Sequence, residues 1–293
     1  LGFYMNSADM RQELFAYAAA YAVLLSLLAR LYPPVPQPGS IRRRRSQLTE
    51  NIIVLKDLSK IYGNGVEVRA LDGISVTIKA GEFVAIVGPS GSGKSTLLNM
   101  IGLLDTPSYG QIFLKGIDVS RASSEERARL RNQELGFVFQ YHHLIPEFSA
   151  QENVMMPMLI AGKDKAVARD RAMELLASVG LAERKDSRPN QLSGGQNQRV
   201  AVARALANGP SIVIGDELTG NLDTKTSDLI YKLLRELNRK INQTFILVTH
   251  DMTLAEKTDR ILRIVDGKIV CEIRRKGEEF VAYEGCELGE DGG

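Results

Sequence analysis

Residues 88–96 read Gly-Pro-Ser-Gly-Ser-Gly-Lys-Ser-Thr, a complete G-x-x-x-x-G-K-[ST] phosphate-binding loop. Residues 82–87 (EFVAIV) precede it as an apolar, β-branched run that predicts a buried strand. Residues 97–104 (LLNMIGLL) follow it and predict a helix ending near Asp105-Thr106-Pro107. Nucleotide phosphates crowd several negative charges together. The glycines Gly88, Gly91 and Gly93 let the backbone approach and aim N–H groups at the oxygens, and the new helix adds its positive end. Pro89, Ser90, Ser92 and Thr96 complete the cradle, Lys94 reaches the β- and γ-phosphates, and Ser95 offers a hydroxyl to Mg²⁺. The expected ligand is therefore a nucleoside triphosphate with Mg²⁺.

The chain of 293 residues carries a net charge of +2, so bulk electrostatics does not point to nucleic acid. Cys271 and Cys286 stand late and outside any metal spacing, which suits a reducing setting with no disulfide framework. The three histidines are His142, His143 and His250, too few for a His-rich metal site. Residues 14–29 form an uncharged apolar run, followed by a proline-rich piece and the arginines 42–45. Three readings stand for residues 1–50: a marginal membrane anchor, a signal-like segment, or an upstream extension not native to the globular part. The last is preferred.

Outward from the loop, residues 51–60 and 66–79 predict strands of a small, largely antiparallel layer, and 111–116 another strand. Residues 123–131 predict a charged helix, 135–139 a strand ending at Gln140, and about 150–179 a helical region broken near Gly162. Residues 198–208 and 224–240 predict helices, and 211–215 and 244–248 buried strands. Strands at 260–265 and 268–273 close the domain, and the charged tail from Lys276 is expected to be loose. The alternation implies a three-layer α/β core with an inserted helical region.

Asp216 ends an apolar strand, where an acid near the loop can hold Mg²⁺. Glu217, one residue on, is placed to orient an attacking water. His250 ends another buried strand in the same manner and can meet the γ-phosphate or the water, and Gln140 ends a third, with an amide for Mg²⁺ or the water. Residues 192–196 (LSGGQ) open a helix and form a second anion-binding N-terminus. One chain thus carries two phosphate cradles but a single lysine loop. A head-to-tail pair, each copy capping the nucleotide of the other, accounts for both.

These motifs, in this order across about 52–273, resemble the ATPase subunit of ABC transporters. The resemblance implies a P-loop NTPase of the ABC ATPase type: a RecA-like parallel-sheet core, an antiparallel β layer, and an inserted helical subdomain at about 141–195. By match, Tyr62 stacks on adenine, Gln140 is the Q-loop glutamine, and Ser193, Gly194, Gly195 and Gln196 reach the partner's ATP. Asp216 binds the metal, Glu217 is the base, Asp223 belongs to the D-loop, and His250 is the switch histidine. Leu218 departs from the family's usual proline, which puts the placement of Glu217 in question. Residues 102–107, 130–133, 135–160 and 188–189 are similar to ATPases of lipoprotein-releasing systems, with MacB-type exporters as the alternative. That resemblance implies a peripheral subunit on the cytoplasmic side of the inner membrane, bound to LolC/LolE-like permeases through about 141–160, with no nucleic-acid partner. Residues 24–33 look like the end of a permease membrane helix joined ahead of the ATPase. The pair His142-His143 is read as packing or partner-facing, since adjacent side chains on an extended loop point apart.

Overall fold

A computed structural model describes residues 51–63, 67–218, 220–276, 279–283 and 286. The segment 1–50, with the readings made of it, lies outside the described residues.

The strand before the phosphate loop, β3 (Phe83–Val87), has all five residues buried. It lies between β8 (Thr244–Val248) and β9 (Arg260–Val265) in a seven-stranded sheet whose order is β11 (Glu279–Tyr283), β10 (Lys268–Lys276), β9, β3, β8, β7 (Ile212–Asp216) and β6 (Leu135–Phe139). From β9 to β6 (Leu135–Phe139), through β7 (Ile212–Asp216), neighbours run parallel. A strand walled on both faces needs apolar residues throughout, which is why these runs lack alternation. Alternation survives as a division of labour. Val84 and Ile86 enter the core under the second sheet, while Phe83 enters the core under the helices.

That second sheet is antiparallel, in the order β2-β1-β4-β5, built from β1 (Asn51–Tyr62), β2 (Val68–Lys79), β4 (Tyr109–Leu114) and β5 (Ile117–Asp118). Between the sheets lies α1 (Lys94–Ile101), with Leu97, Leu98, Met100 and Ile101 buried. The opposite core joins the parallel sheet to α3 (Ala150–Ile160), α4 (Lys165–Ser178), α5 (Gly194–Ala205) and α6 (Thr224–Ile241).

Helix starts follow local chemistry. Capping boxes open α2 (Ser124–Glu134) with Ser123 and Glu126, and α3 with Ser149 and Glu152. Asp164 caps α4 after the break at Gly162, whose φ of 76° is open to glycine at little cost. A short α7 (Met252–Ala255) follows the third strand end.

Two expectations are corrected. The tail is not loose from Lys276: β10 (Lys268–Lys276) pairs antiparallel with β11 (Glu279–Tyr283), from Lys276 opposite Glu279 to Glu272 opposite Tyr283. Residues 279–283 (EFVAY) are rich in strand-forming side chains, which outweighs the charged composition around them. The hairpin returns the chain past its own strand, and Cys286 is disulfide-bonded to Cys271 with their Cα atoms 4.9 Å apart. Compartment-based reasoning missed a pairing that strand register makes local.

Candidate nucleotide-binding site

A cavity of about 910 Å³ opens where the parallel strands end. It is lined by Gly88, Pro89, Ser90, Gly91, Gly93, Lys94, Ser95 and Thr96, together with Gln140, Asp216, Glu217 and His250. Three separate strand ends and the loop therefore meet in one place, as expected for ligand sites at the carboxyl edge of parallel sheets.

The loop is held by contacts that only glycine permits. At Gly93 (φ 103°) a Cβ would fall 2.4 Å from the Ala70 carbonyl oxygen, and at Gly88 one would fall 2.1 Å from that of Ile264. Gly93 caps α1 with no side-chain hydrogen bond, so the first N–H groups of that helix are not claimed by a capping residue. Lys94 Nζ donates to the carbonyls of Gly88 (2.8 Å) and Pro89 (2.7 Å), folding its charge across the loop. Ser92 is buried; its carbonyl accepts from the Gly267 N–H at 2.9 Å, and its Oγ has no hydrogen-bond partner.

Asp216 is half-buried, and its carboxyl sits above the usual carboxylate range. Burial is the main cause, Glu217 adds to it, and Lys94 opposes it. Beside it, Glu217 adopts φ 44°, and its N–H donates to the Val248 carbonyl at 3.0 Å. Its Oε1 lies 3.2 Å from His250 Nδ1. The turn closes through the Gly220 N–H to the Glu217 carbonyl at 3.1 Å, while the Leu218 side chain is buried in the helical core. Burial of leucine thus holds a turn that a proline ring would otherwise stiffen. Gln140 Nε2 donates to Asn221 Oδ1 at 3.4 Å.

Ser95, Gln140 and Asp216 offer hydroxyl, amide and carboxylate oxygens to one space. That donor set fits Mg²⁺, which takes few carboxylates and shares its shell with water and phosphate. Among the described residues, no group of three or more His, Cys, Asp or Glu gathers elsewhere as a metal site.

Other expected residues stand outside this cavity. Tyr62 does not line it: its hydroxyl donates to Asp105 Oδ2 at 2.9 Å and lies beside Thr96, which does. Ser193 and Gln196 form a capping box on α5, with Gln196 N donating to Ser193 Oγ at 3.3 Å and Ser193 N to Gln196 Oε1 at 2.8 Å. Gly194 is exposed beside them. Asp223 caps α6 through the Thr226 N–H and hydroxyl, at 3.0 and 2.7 Å. His142 and His143 both take positive φ, and Arg204 donates to both of their carbonyls at 2.6 Å. The His143 ring packs edge-on against Phe139, and burial holds His142 below its ordinary pKa.

The cavity also uses residues the sequence reading missed. Val68, Arg69 and Ala70 of β2 and Asp266-Gly267 between β9 and β10 form its far wall. An Asp-Gly pair favours a turn, but nothing local places that turn beside the loop.

Loop, acidic strand end and open helix start define a P-loop nucleotide-binding protein. Residues 71–220 match the ABC transporter family. The chain is 51% identical over 219 residues to the lipoprotein-releasing system ATP-binding protein LolD of Xanthomonas euvesicatoria, covering 74% of this chain and 90% of that one. It is 51% identical over 222 residues to LolD 1 of Rhodopseudomonas palustris, covering 75% and 98%. Among solved structures, a dimeric ATP-binding cassette in a post-hydrolysis state bound to ADP and Pi matches with a TM-score of 0.70. That match has 41% identity and covers 77% of this chain and 99% of the other. This chain belongs to the ABC transporter ATP-binding family.

Proposed function

We propose that this chain is the ATP-hydrolysing subunit of an ABC transporter that releases lipoproteins from the inner membrane. The observation that carries the hydrolytic part is the convergence of Lys94, Ser95, Gln140, Asp216, Glu217 and His250 on one cavity. The lipoprotein part rests on relatives at about half identity whose names state that role.

In this reading the loop N–H groups and Lys94 bind the phosphates, and Ser95, Asp216 and Gln140 would hold Mg²⁺, which when bound would supply charge that neutralises the phosphate oxygens. Glu217 orients the water and accepts its proton, and His250, in contact with the same carboxylate, fixes the direction of that carboxylate. The Ser193-Gly194-Gly195-Gln196 cap lies outside the cavity of its own chain, which supports a head-to-tail pair in which it completes the partner's site. Asp223 of the following turn would stand at the seam of that pair.

The segment 141–160 is the surface assigned to LolC/LolE-like permeases. An apolar cavity of about 570 Å³ beneath it, lined by Phe137, Phe139, His143, Ile145, Met156 and Ile160, supports that assignment. The chain would sit as a peripheral subunit on the cytoplasmic face. Among the described residues, no helix is long and apolar enough to cross a membrane.

Purification of the chain from detergent-solubilised membranes tests the partner: a LolC/LolE-like pair should accompany it, and a permease of another class overturns the lipoprotein reading. Glu217→Gln tests the chemistry. Turnover should fall at least about 100-fold while ATP still binds and drives dimerisation. Hydrolysis at the wild-type rate would refute the base assignment.

A further inference from the structure

Tyr62 stands beside Thr96, which lines the nucleotide cavity, and is held by several contacts at the end of β1. Lys60 and Tyr62 are two residues apart on β1 and therefore project to the same face of the strand. Lys60 Nζ lies 4.8 Å from the centroid of the Tyr62 ring, covering it with a cation. The same ammonium donates to Asp105 Oδ1 and to the Thr106 carbonyl, both at 2.8 Å. The other Asp105 oxygen takes the Tyr62 hydroxyl at 2.9 Å, and the Thr106 N–H donates to Asp105 Oδ1 at 2.6 Å. The Lys60 side chain is only 11% exposed, so this ion pair is screened less than a surface pair.

Asp105 follows the helix of the phosphate loop, while Thr96, in the first turn of that helix, lines the cavity and meets the Tyr62 oxygen. The tyrosine is thereby bonded to the segment that follows α1 and stands beside a residue of its first turn. It stays 39% exposed despite these ties, which leaves surface for a flat aromatic ligand.

We propose that Asp105 and Lys60 are positioning residues that clamp Tyr62 as the base-stacking platform of the ATP site, setting nucleotide affinity and leaving turnover alone. The proposal rests on the reading of Tyr62 as the residue that meets adenine. Neither clamp residue touches the phosphates or the acidic strand end, so each acts through the ring. A ring held in place before ligand arrives loses little freedom on stacking, and a freed ring must be ordered each time.

The test uses the purified chain and four variants: Tyr62→Ala, Tyr62→Phe, Asp105→Asn and Lys60→Met. KM and kcat for ATP are measured, together with the inhibition constant of inorganic tripolyphosphate, which has no base. Asp105→Asn and Lys60→Met should each raise KM for ATP roughly three- to tenfold, the size of one lost hydrogen bond or cation–π contact. They should hold kcat within about twofold and leave tripolyphosphate inhibition unchanged. Tyr62→Phe combined with Asp105→Asn should be no worse than Asp105→Asn alone, because the second change already removes the acceptor of the Tyr62 hydroxyl.

Two outcomes overturn the proposal in different ways. If Tyr62→Ala raises KM but Asp105→Asn and Lys60→Met do not, the platform stands and the clamp is refuted. If Tyr62→Ala itself leaves KM unchanged, the platform reading fails and the clamp falls with it. Equal loss of ATP and tripolyphosphate binding in the clamp variants would mean that they distort the phosphate loop, and it refutes the assignment to the base.

Discussion

The chain has two glycine-rich helix starts, and they are built in opposite ways. At α1 the cap residue is Gly93, which offers no side chain to the helix. At α5 the cap is Ser193, and Ser193 and Gln196 satisfy each other's backbone N–H groups before any ligand arrives. The first start is packed against β2 at Gly93 and shaped so that an outside anion completes it. The second is finished and presented at the surface. A helix N-terminus attracts anions in both cases, but only the first is left incomplete within its own chain. A cradle that is self-capped and exposed suits the role proposed for it, at another molecule's phosphate.

The sharpest way to break this contrast is to add one methyl group at each start. Gly93→Ala places a Cβ against a backbone oxygen at positive φ and should destabilise the fold by about 1–3 kcal/mol. It should also weaken ATP binding at least about tenfold. Gly194→Ala meets only the end of the Leu222 side chain, at 3.3 Å, and should shift stability by no more than about 1 kcal/mol in a helical position. Thermal melting and a fluorescent-nucleotide titration read both variants, and equal destabilisation would end the distinction.

A smaller effect concerns charge at the incomplete site. The folded-state pKa of Asp216 is raised, so its contribution favours the fold at low pH and is lost as pH rises through that pKa. Asp216→Asn should therefore raise the melting temperature of the nucleotide-free protein at neutral pH. The gain should vanish below the ordinary carboxylate range, near pH 4. The same variant should lose Mg²⁺-dependent ATP binding, so stability and function would move in opposite directions.

At the finished start, Ser193→Ala removes one half of a capping box. The cost should be about 1 kcal/mol, or roughly 2–4 °C in melting temperature. Gln196→Ala combined with it should cost less than the sum of the two single changes, since the pair is reciprocal.

The smallest effect is at Asp223. Its carboxyl is held below the usual range by the Thr226 hydroxyl and then the Thr226 N–H. Its contribution is present above the unfolded carboxylate pKa and lost as pH falls through the lowered one, the reverse of Asp216. Asp223→Ala should lower the melting temperature slightly at neutral pH, with the gap closing in acid.

Much of this was legible before any coordinates because chemistry and burial coincide in the sequence. β3, β7 and β8 are apolar runs that stop at a glycine, an acid and a threonine-histidine pair, so strand and site residue share one boundary. Order within the sheet was not legible. β3 lies beside β8 and β9, over 150 residues away in the chain, and no local signal encodes which strands become neighbours. The wall from Val68 to Ala70 was missed for the same reason, since it arrives from the other sheet. The tail misled by composition: charges at 276–279 hid the EFVAY strand, and the two cysteines were weighed by compartment and not by the hairpin that brings them together.

Gly267 has a consequence for how the nucleotide arrives. Its N–H donates to the carbonyl of Ser92 and its carbonyl accepts from the Asp72 N–H, both at 2.9 Å, so the backbone of one residue joins the phosphate loop to the antiparallel sheet. The loop is wedged between two layers like a stone in an arch. In hydrogen exchange, the Gly267 amide of the nucleotide-free protein should open only with the domain as a whole. ATP would then meet a cradle whose ordering was completed during folding, and in the proposed head-to-tail pair its binding energy would remain available for joining the two copies.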